Sequence, residues 1–258
     1  MVAPKSILIT GASSGIGEAL ALFYAAQGVF LALTGRDQAR LEQVAAACRM
    51  RGAEVEARTI DVTDRVSMRE WVLALDRART LDLVIANAGV SGGTGGAGEG
   101  EDQAIRIFEV NILGVLYTIG PLIPLMKARQ SGQIAIISSI AGYSGWIGAP
   151  AYSASKGGIR LYAEALRGNL RPAGIRVSVV CPGFVATRMT EVNEYKMPFM
   201  LTSDKAASII AGGLEKDLGK ISFPLPTLIV ARLISFLPLW LAHFLMAKFP
   251  GKPPLNQG

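Results

Sequence analysis

Two side chains four positions apart pose the first chemical question. In the run YSASK, residues 152–156, Tyr152 and Lys156 share one face if the stretch is helical. Ser153, Ala154 and Ser155 between them are too small to screen one from the other. A phenol ordinarily titrates near pH ~10, and a neighbouring ammonium favours the phenolate. Such a pair can exchange a proton near neutral pH, where general acid–base catalysis is most effective. The same spacing also occurs on ordinary exposed helices, so the surroundings must decide. Other chemistry is thinly supplied. His243 is the only histidine, so any Ser-His-Asp or Cys-His arrangement depends on that one residue. Cys48 and Cys181 lie far apart, with no CxxC and no histidine cluster, so buried free thiols and no metal are expected.

The elements around this pair follow from periodicity. Apolar, β-branched runs read as strands at 6–10, 29–34, 54–59, 81–86, 133–138, 175–180 and 221–223. Helical patterns lie between them at about 16–27, 38–51, 64–78, 101–129, 151–171 and 203–217. Near-continuous apolar strands joined by helices predict a parallel sheet buried on both faces. Right-handed crossovers then make it an α/β, doubly wound, Rossmann-type sheet. Gly28, Gly52 and Gly174 each follow a helical stretch, where a left-handed cap is expected. The 258 residues suit one domain, with 1–220 as its body and 221–258 as an apolar, basic extension. Net charge is +6, but the basic residues are scattered, so a phosphate-bearing ligand fits better than nucleic acid. Mean hydropathy is +0.37, high for a soluble chain. Too few residues precede the first strand for a secretory leader, and a cytoplasmic location is expected.

A glycine turn follows the first strand at once, in ITGASSGIGEALALFYAAQG. Gly11 permits a tight turn, Gly15 a close backbone approach to a pyrophosphate, and Gly17 close packing of the helix. The helix N-terminus behind them favours an anion. A second glycine pattern, Gly93, Gly95 and Gly98, matches GxGxxG but does not join a strand directly to a helix. It reads as a flexible loop near the sheet's C-terminal edge. The second strand ends in LTGRD, with Arg36 in place of the acid that takes a ribose 2′-hydroxyl. Arg36 therefore points to NADP (NADPH) over NAD, and Ser14 could add a hydroxyl to the same 2′-phosphate.

Together these residues resemble the short-chain dehydrogenase/reductase family. TGASSGIG at 10–17, with Gly11, Ser13, Ser14, Gly15, Ile16 and Gly17, is similar to its cofactor turn. Asn87, Ala88 and Gly89 match its motif after the fourth strand. Asn111 falls where the family keeps an active-site asparagine, and Ser139 stands thirteen positions before Tyr152, the family's serine-to-tyrosine spacing. The likeness runs from residue 6 to about 223. It implies hydride transfer between nicotinamide and a carbonyl or secondary alcohol. In that scheme Tyr152 gives or takes the proton, Ser139 bonds the substrate oxygen, and Lys156 holds the nicotinamide ribose and lowers the tyrosine pKa. Asn111 would hold a water that links the lysine to solvent. Asp61 and Val62 match the adenine contacts, and Pro182, Gly183, Val185 and Thr187 match the segment near the carboxamide. Ser138, on the opposite side of the strand, is expected to be structural. A homodimer or homotetramer through 101–129 and 151–171 is the family expectation.

Two segments are left open by these motifs. Met189, Tyr195, Met197, Phe199 and Met200 make the stretch after Thr187 apolar, which suits either a lid over a hydrophobic substrate or plain packing. The tail from 221 carries Arg232, Lys248 and Lys252 but no acid, and Pro224, Pro226 and Pro238 cut it too short for a bilayer span. It reads either as a peripheral membrane contact over 221–252 or as packing in an oligomer or over the substrate cleft. A catalytically silent NADP(H)-binding sensor or scaffold at a membrane surface is the alternative to an enzyme. An epimerase or dehydratase is disfavoured by the glycine spacing and the lack of an extended substrate domain.

Overall fold

The computed structural model describes residues 3–95, 98–193, 197–247 and 252–255. Seven parallel strands form one sheet in the order β3-β2-β1-β4-β5-β6-β7. They are β1 (Ser6–Thr10), β2 (Phe30–Gly35), β3 (Glu54–Thr59), β4 (Leu83–Ala86), β5 (Gly132–Ile137), β6 (Ile175–Pro182) and β7 (Lys220–Phe223). The inner strands β1, β2, β4 and β5 are buried at every position. The edge strands β3 and β7 instead alternate between more and less exposed residues. This is the division expected when helices cover both faces of a parallel sheet and only its margins meet water.

Side chains sort by face. Leu8 joins Trp71, Met68, Val84, Ile134 and Ile159 in one core. Its neighbours Ile7 and Ile9 join Leu20, Leu31, Leu41 and Ile210 in the other. The first face carries α3 (Arg65–Ala78) and α7 (Pro150–Leu170), and the second α1 (Gly15–Tyr24), α2 (Gln38–Met50) and α9 (Ser203–Glu215). Asp37, Asp64 and Thr202 each cap a helix by accepting from a backbone N–H three residues on. Gly28, Gly52 and Gly174 have φ of +79°, +90° and +71°, the left-handed geometry expected of them.

The pattern at 101–129 does not form one regular helix. It divides into α4 (Glu101–Phe108), a π-turn (Glu109–Leu113), α5 (Gly114–Ile119) and α6 (Ile123–Arg129). Pro124 sits at the start of α6, where its missing N–H costs nothing but an α-helix cannot continue through it. The π-turn places Asn111, fully buried, between α4 and α5. This run is also the only one among the described residues long and apolar enough to cross a bilayer.

The reversal of strand order lies between β1 and β4, and their C-terminal ends are tied together there. Thr10 Oγ1 accepts from the backbone N–H of Asn87 and of Ala88, both at 3.1 Å. Asn87 Nδ2 donates back to the carbonyls of Thr10 and Gly11, at 3.0 and 3.1 Å. Thr10 is 1% exposed, and the two bonds it accepts lie partly buried. Thr10→Val keeps the volume but strands both donors. It is expected to cost about 1–3 kcal/mol, read from urea unfolding at unchanged m-value.

After β7 come α10 (Leu225–Phe236) and α11 (Leu239–Met246). The Arg232 guanidinium lies over the Tyr143 ring, 5.6 Å from its centre, and docks α10 on the turn after β5. Leu225, Leu233, Phe236, Leu239, Trp240 and Phe244 of these helices are exposed. Lys248 and Tyr195, singled out from the sequence, lie outside the described residues.

Candidate active site

The glycine turn is built for close approach. Gly11 and Gly15 have φ of +65° and +60°. A Cβ on Gly17 would fall 2.2 Å from the Gly11 oxygen and 2.5 Å from Asn87 Nδ2. One on Gly15 would fall 2.9 Å from Thr187 Cγ2, so the segment after β6 closes over the turn. Ser14 stands at the N-cap of α1 without a side-chain capping bond. The first-turn amides of α1 therefore lack a side-chain acceptor at the cap, which suits a pyrophosphate. Ala12 N donates to Thr34 O at 2.9 Å, bringing the turn against the end of β2. Ser13 Oγ would meet a Cβ on Gly35 at 2.8 Å. Arg36 follows immediately, exposed and without a hydrogen bond or ion pair to the described residues. Arg40, one turn along and unmarked from the sequence, adds a second guanidinium that pairs with Asp37 at 2.9 Å.

Asp61 and Val62 follow β3. Asp61 accepts from Thr63 at one oxygen and from Arg106 at the other, at 2.6 Å, and these bonds hold its carboxyl below the usual range although burial opposes them. Val62 is buried, with Cγ2 2.6 Å from where a Cβ on Gly114 would lie. Ala88 Cα would be 2.8 Å from a Cβ on Gly11. Gly89 faces the next group inward, since a Cβ there would touch both Asn111 Oδ1 and Lys156 Nζ at 3.2 Å. Thus Asn87, Ala88 and Gly89 run from the glycine turn to the buried lysine. Beyond β6, Gly183 N bonds Phe223 O, Val185 bridges Leu201, and Thr187 caps α8 (Arg188–Glu191). Pro182 ends β6, and its carbonyl receives Ser139 Oγ at 3.5 Å. Ile16, in the first turn of α1, is partly buried and packs on the core of that face.

Tyr152, Lys156, Ser139 and Asn111 meet at the C-terminal edge of β5. Tyr152 and Lys156 do share one face of α7, with Nζ 6.0 Å from the ring centre. Lys156 is 5% exposed and donates to Ile137 O at 3.0 Å. That bond leaves it two further hydrogens, which fit the hydroxyls of a ribose. Ser139 is the first of two serines that act to lower the Tyr152 phenol. Asn111 clamps Val90, accepting from its N–H at 2.8 Å and donating to its carbonyl at 3.0 Å, and donates to Ser155 Oγ at 3.0 Å. Ser138 points away and donates to Lys156 O at 2.7 Å, the structural part expected of it.

Burial is the largest influence on both titratable groups of the pair. Burial pushes the Tyr152 phenol up, and the hydrogen bonds from Ser139 and Ser91 lower it in part. The Lys156 ammonium, expected to lower it, stands 6.0 Å from the ring centre. Burial brings the ammonium itself down to about 8, and it is aimed at Ile137 O rather than at the phenol oxygen.

Residues 5–197 match the family model described as short chain dehydrogenase. The chain belongs to the short-chain dehydrogenase family. An "uncharacterized oxidoreductase" of Myxococcus xanthus (strain DK1622) is 36% identical over 235 residues, covering 91% of this chain and 93% of that one. A short-chain dehydrogenase from Sphingobium yanoikuyae, solved with NADPH, superposes with a TM-score of 0.80 at 26% identity, over 95% of this chain and 96% of its own. The fold is also that of a short chain dehydrogenase/reductase from Burkholderia phymatum solved with NAD, with a TM-score of 0.82, 24% identity and 96% and 97% coverage. As a member of this family the protein is an NAD(P)-dependent oxidoreductase acting on CH–OH groups, and its glycine turn and lysine fit a nicotinamide dinucleotide.

Two residues beside Tyr152 were not found from the sequence. Ser91 is the second serine that acts to lower its phenol. Lys252, from the far end of the chain, bonds Ser91 at 2.5 Å and lies 5.2 Å from the tyrosine ring centre. Ser91 could have been suspected from its place two residues after Gly89. Lys252 could not, because most of the second half of the chain separates it from Lys156 and no spacing rule joins them.

Proposed function

We propose that the protein is an NADPH-dependent carbonyl reductase for ketones of apolar or lipid-like molecules. The observation that carries this reading is the Tyr152–Ser139–Lys156 cluster, with its lysine buried and its tyrosine and serine partly exposed, beside the glycine turn. The nicotinamide supplies the hydride when bound. Tyr152, held by Ser139 and Ser91, gives its proton to the oxygen of the substrate. Ser139 donates to the same oxygen as negative charge develops on it. Lys156 orients the ribose, and Asn111 fixes the loop that carries Gly89 and Val90 and holds a water between Lys156 and solvent. An apolar substrate is favoured by Met189, Phe199 and Met200, which stand exposed on the segment that follows Thr187. Exposed Ile105 and Phe108 on α4 and Leu161 and Tyr162 on α7 favour self-association into a homodimer or homotetramer. The assay is NADPH oxidation against ketones graded from short and polar to long and apolar. Turnover rising with apolar length is the expected result, and turnover of none of them rejects the reading.

NADPH over NADH rests on Arg36 at the end of β2, with Ser13, Ser14 and Arg40 beside it. A charged hydrogen bond to a 2′-phosphate contributes about 1.5–3 kcal/mol. Arg36→Ala is therefore expected to weaken NADPH binding roughly 10- to 100-fold and to leave NADH nearly unchanged. Tighter binding of NADH than NADPH by the unaltered protein overturns the assignment.

A further inference from the structure

The end of the chain returns to the candidate active site and is fastened there by the glycine-rich loop after β4. Gly93 N donates to Pro253 O at 2.8 Å, Gly95 N to Lys252 O at 3.0 Å, and Leu255 N to Gln103 Oε1 at 2.6 Å. A Cβ on Gly93 would lie 2.4 Å from the Lys252 oxygen, and one on Gly95 2.7 Å from Pro254 Cδ. The same loop also meets the turn that leads into α7, where Thr94 N donates to Gly148 O at 3.0 Å. Main-chain bonds thus fix the tail beside the helix that carries Tyr152.

What this fastening delivers is an ammonium. Lys252 is 9% exposed, and its Nζ stands 5.2 Å from the Tyr152 ring centre. Its hydrogen bond is to a neutral group, Ser91 Oγ, at 2.5 Å. Among the described residues no carboxylate pairs with it. Glu99 spends its two oxygens on Gln103 and on Ala151 N. A buried cation without a counter-charge is costly. Burial brings it down to about 8, so it still carries its charge at neutral pH. Two buried ammoniums therefore stand beside one tyrosine ring. Lys156 has the ribose as its proposed partner. Lys252 has none.

We propose that Lys252 is a specificity-determining residue that binds a carboxylate of the substrate, so that the ketone reduced is an oxo acid. The carbonyl lies at Tyr152 and Ser139, and the carboxylate a few bonds away takes the two ammonium hydrogens that Ser91 leaves free. A carboxylate fits better than a phosphate. One cation balances one negative charge, whereas a phosphate monoester brings about two at neutral pH and leaves part of its charge unmatched. The proposal rests on the carbonyl-reductase reading and adds an acidic end to its apolar substrate. Hydride passes from NADPH to the carbonyl carbon and a proton from Tyr152 to its oxygen. The products are a hydroxy acid and the oxidised cofactor, and Lys252 is unchanged.

The test uses the full chain and medium-chain oxo acids with the ketone at the α, γ or δ carbon, each beside its primary amide. The amide keeps the shape of the acid and removes its charge. At neutral pH at least one acid is expected to exceed its amide in kcat/KM by about 10- to 100-fold, the worth of a hydrogen bond between charged groups. K252M should bring that ratio to about one, and K252R should keep part of it. A cooperative urea transition in each variant shows that it is folded. Equal use of acid and amide by the unaltered protein overturns the proposal, as does a preference that survives in K252M. Calorimetric binding of the same pairs to the protein saturated with NADPH separates this from the reductase reading. If no ketone is turned over, an acid that still binds more tightly than its amide, and loses that advantage in K252M, upholds the carboxylate site and sinks the reductase reading. Equal binding of acid and amide without turnover sinks both.

Discussion

Tyr152→Phe is expected to lower kcat for ketone reduction roughly 10²- to 10⁴-fold, the usual worth of a positioned general acid. NADPH affinity should hardly change. The substitution deletes one oxygen and keeps the ring, so the packing around α7 survives. Ser139 and Ser91 each lose a partner, but both keep another: Ser139 accepts from Ala141 N, and Ser91 accepts from Lys252. The variant should therefore fold, bind cofactor and fail at chemistry. The unaltered enzyme should show the matching pH dependence. Burial holds the phenol above its ordinary value, so the protonated form required for reduction persists through neutral pH. Reduction falls only as pH rises through that elevated pKa. Oxidation of the alcohol needs the phenolate and rises over the same range. Opposite slopes in the two directions, both flattened in the Phe variant, are the signature. Turnover in the Phe variant within about threefold of the parent, at saturating NADPH, would show that the proton comes from elsewhere.

Much of this site was legible because its parts are local in sequence. Tyr152 and Lys156 are one helical turn apart, and Gly11, Gly15 and Gly17 lie in one strand–turn–helix. Each signal is short, and each depends on backbone geometry that few residues besides glycine or a matched pair can satisfy. The strands were legible for a related reason, since burial on both faces demands continuous apolar runs. The break in 101–129 was not, although Pro121 and Pro124 mark it in hindsight. Amphipathic periodicity carries across a π-turn of one extra residue, so the pattern alone reads as unbroken. The least legible feature was the return of the tail. Its apolar composition was compatible with a membrane surface, an oligomer contact or a cover for the cleft. Which of these residues 252–255 adopt depends on hydrogen bonds from a glycine loop far earlier in the chain. The GxGxxG at 93–98 shows the same limit from the other side. Its use as a bare cradle for another segment could not be read from the pattern.

Lys156→Met should inactivate the enzyme and stabilise the fold at once. Lys156 is the group proposed to hold the ribose, and its loss is expected to cost about 10²-fold or more in kcat/KM through misplacement of the nicotinamide. Its effect on stability has the opposite sign. Burial lowers the ammonium from 10.5 to about 8, a penalty on the order of 3 kcal/mol at neutral pH. Methionine fills a similar volume without charge. It forfeits the bond to Ile137 O, which returns about 1–3 kcal/mol of that gain. The net is a stabilisation on the order of 1 kcal/mol for the protein without cofactor. The pH course follows from the sign. Below about pH 8 the lysine is protonated in both states, and the folded state bears the full penalty. Between 8 and 10.5 the unfolded chain binds more protons, so the stability of the unaltered protein rises with pH relative to the variant. The advantage of the methionine variant in urea unfolding should thus be greatest near neutral pH and fade as pH approaches the ordinary lysine value. If the variant is instead less stable than its parent at neutral pH, the buried ammonium is better compensated than its one carbonyl partner implies. Bound NADPH should reverse the order, because the ribose supplies the acceptors that the lysine otherwise lacks. A lysine that weakens the empty fold and strengthens the loaded one makes cofactor binding partly a matter of relieving its own desolvation.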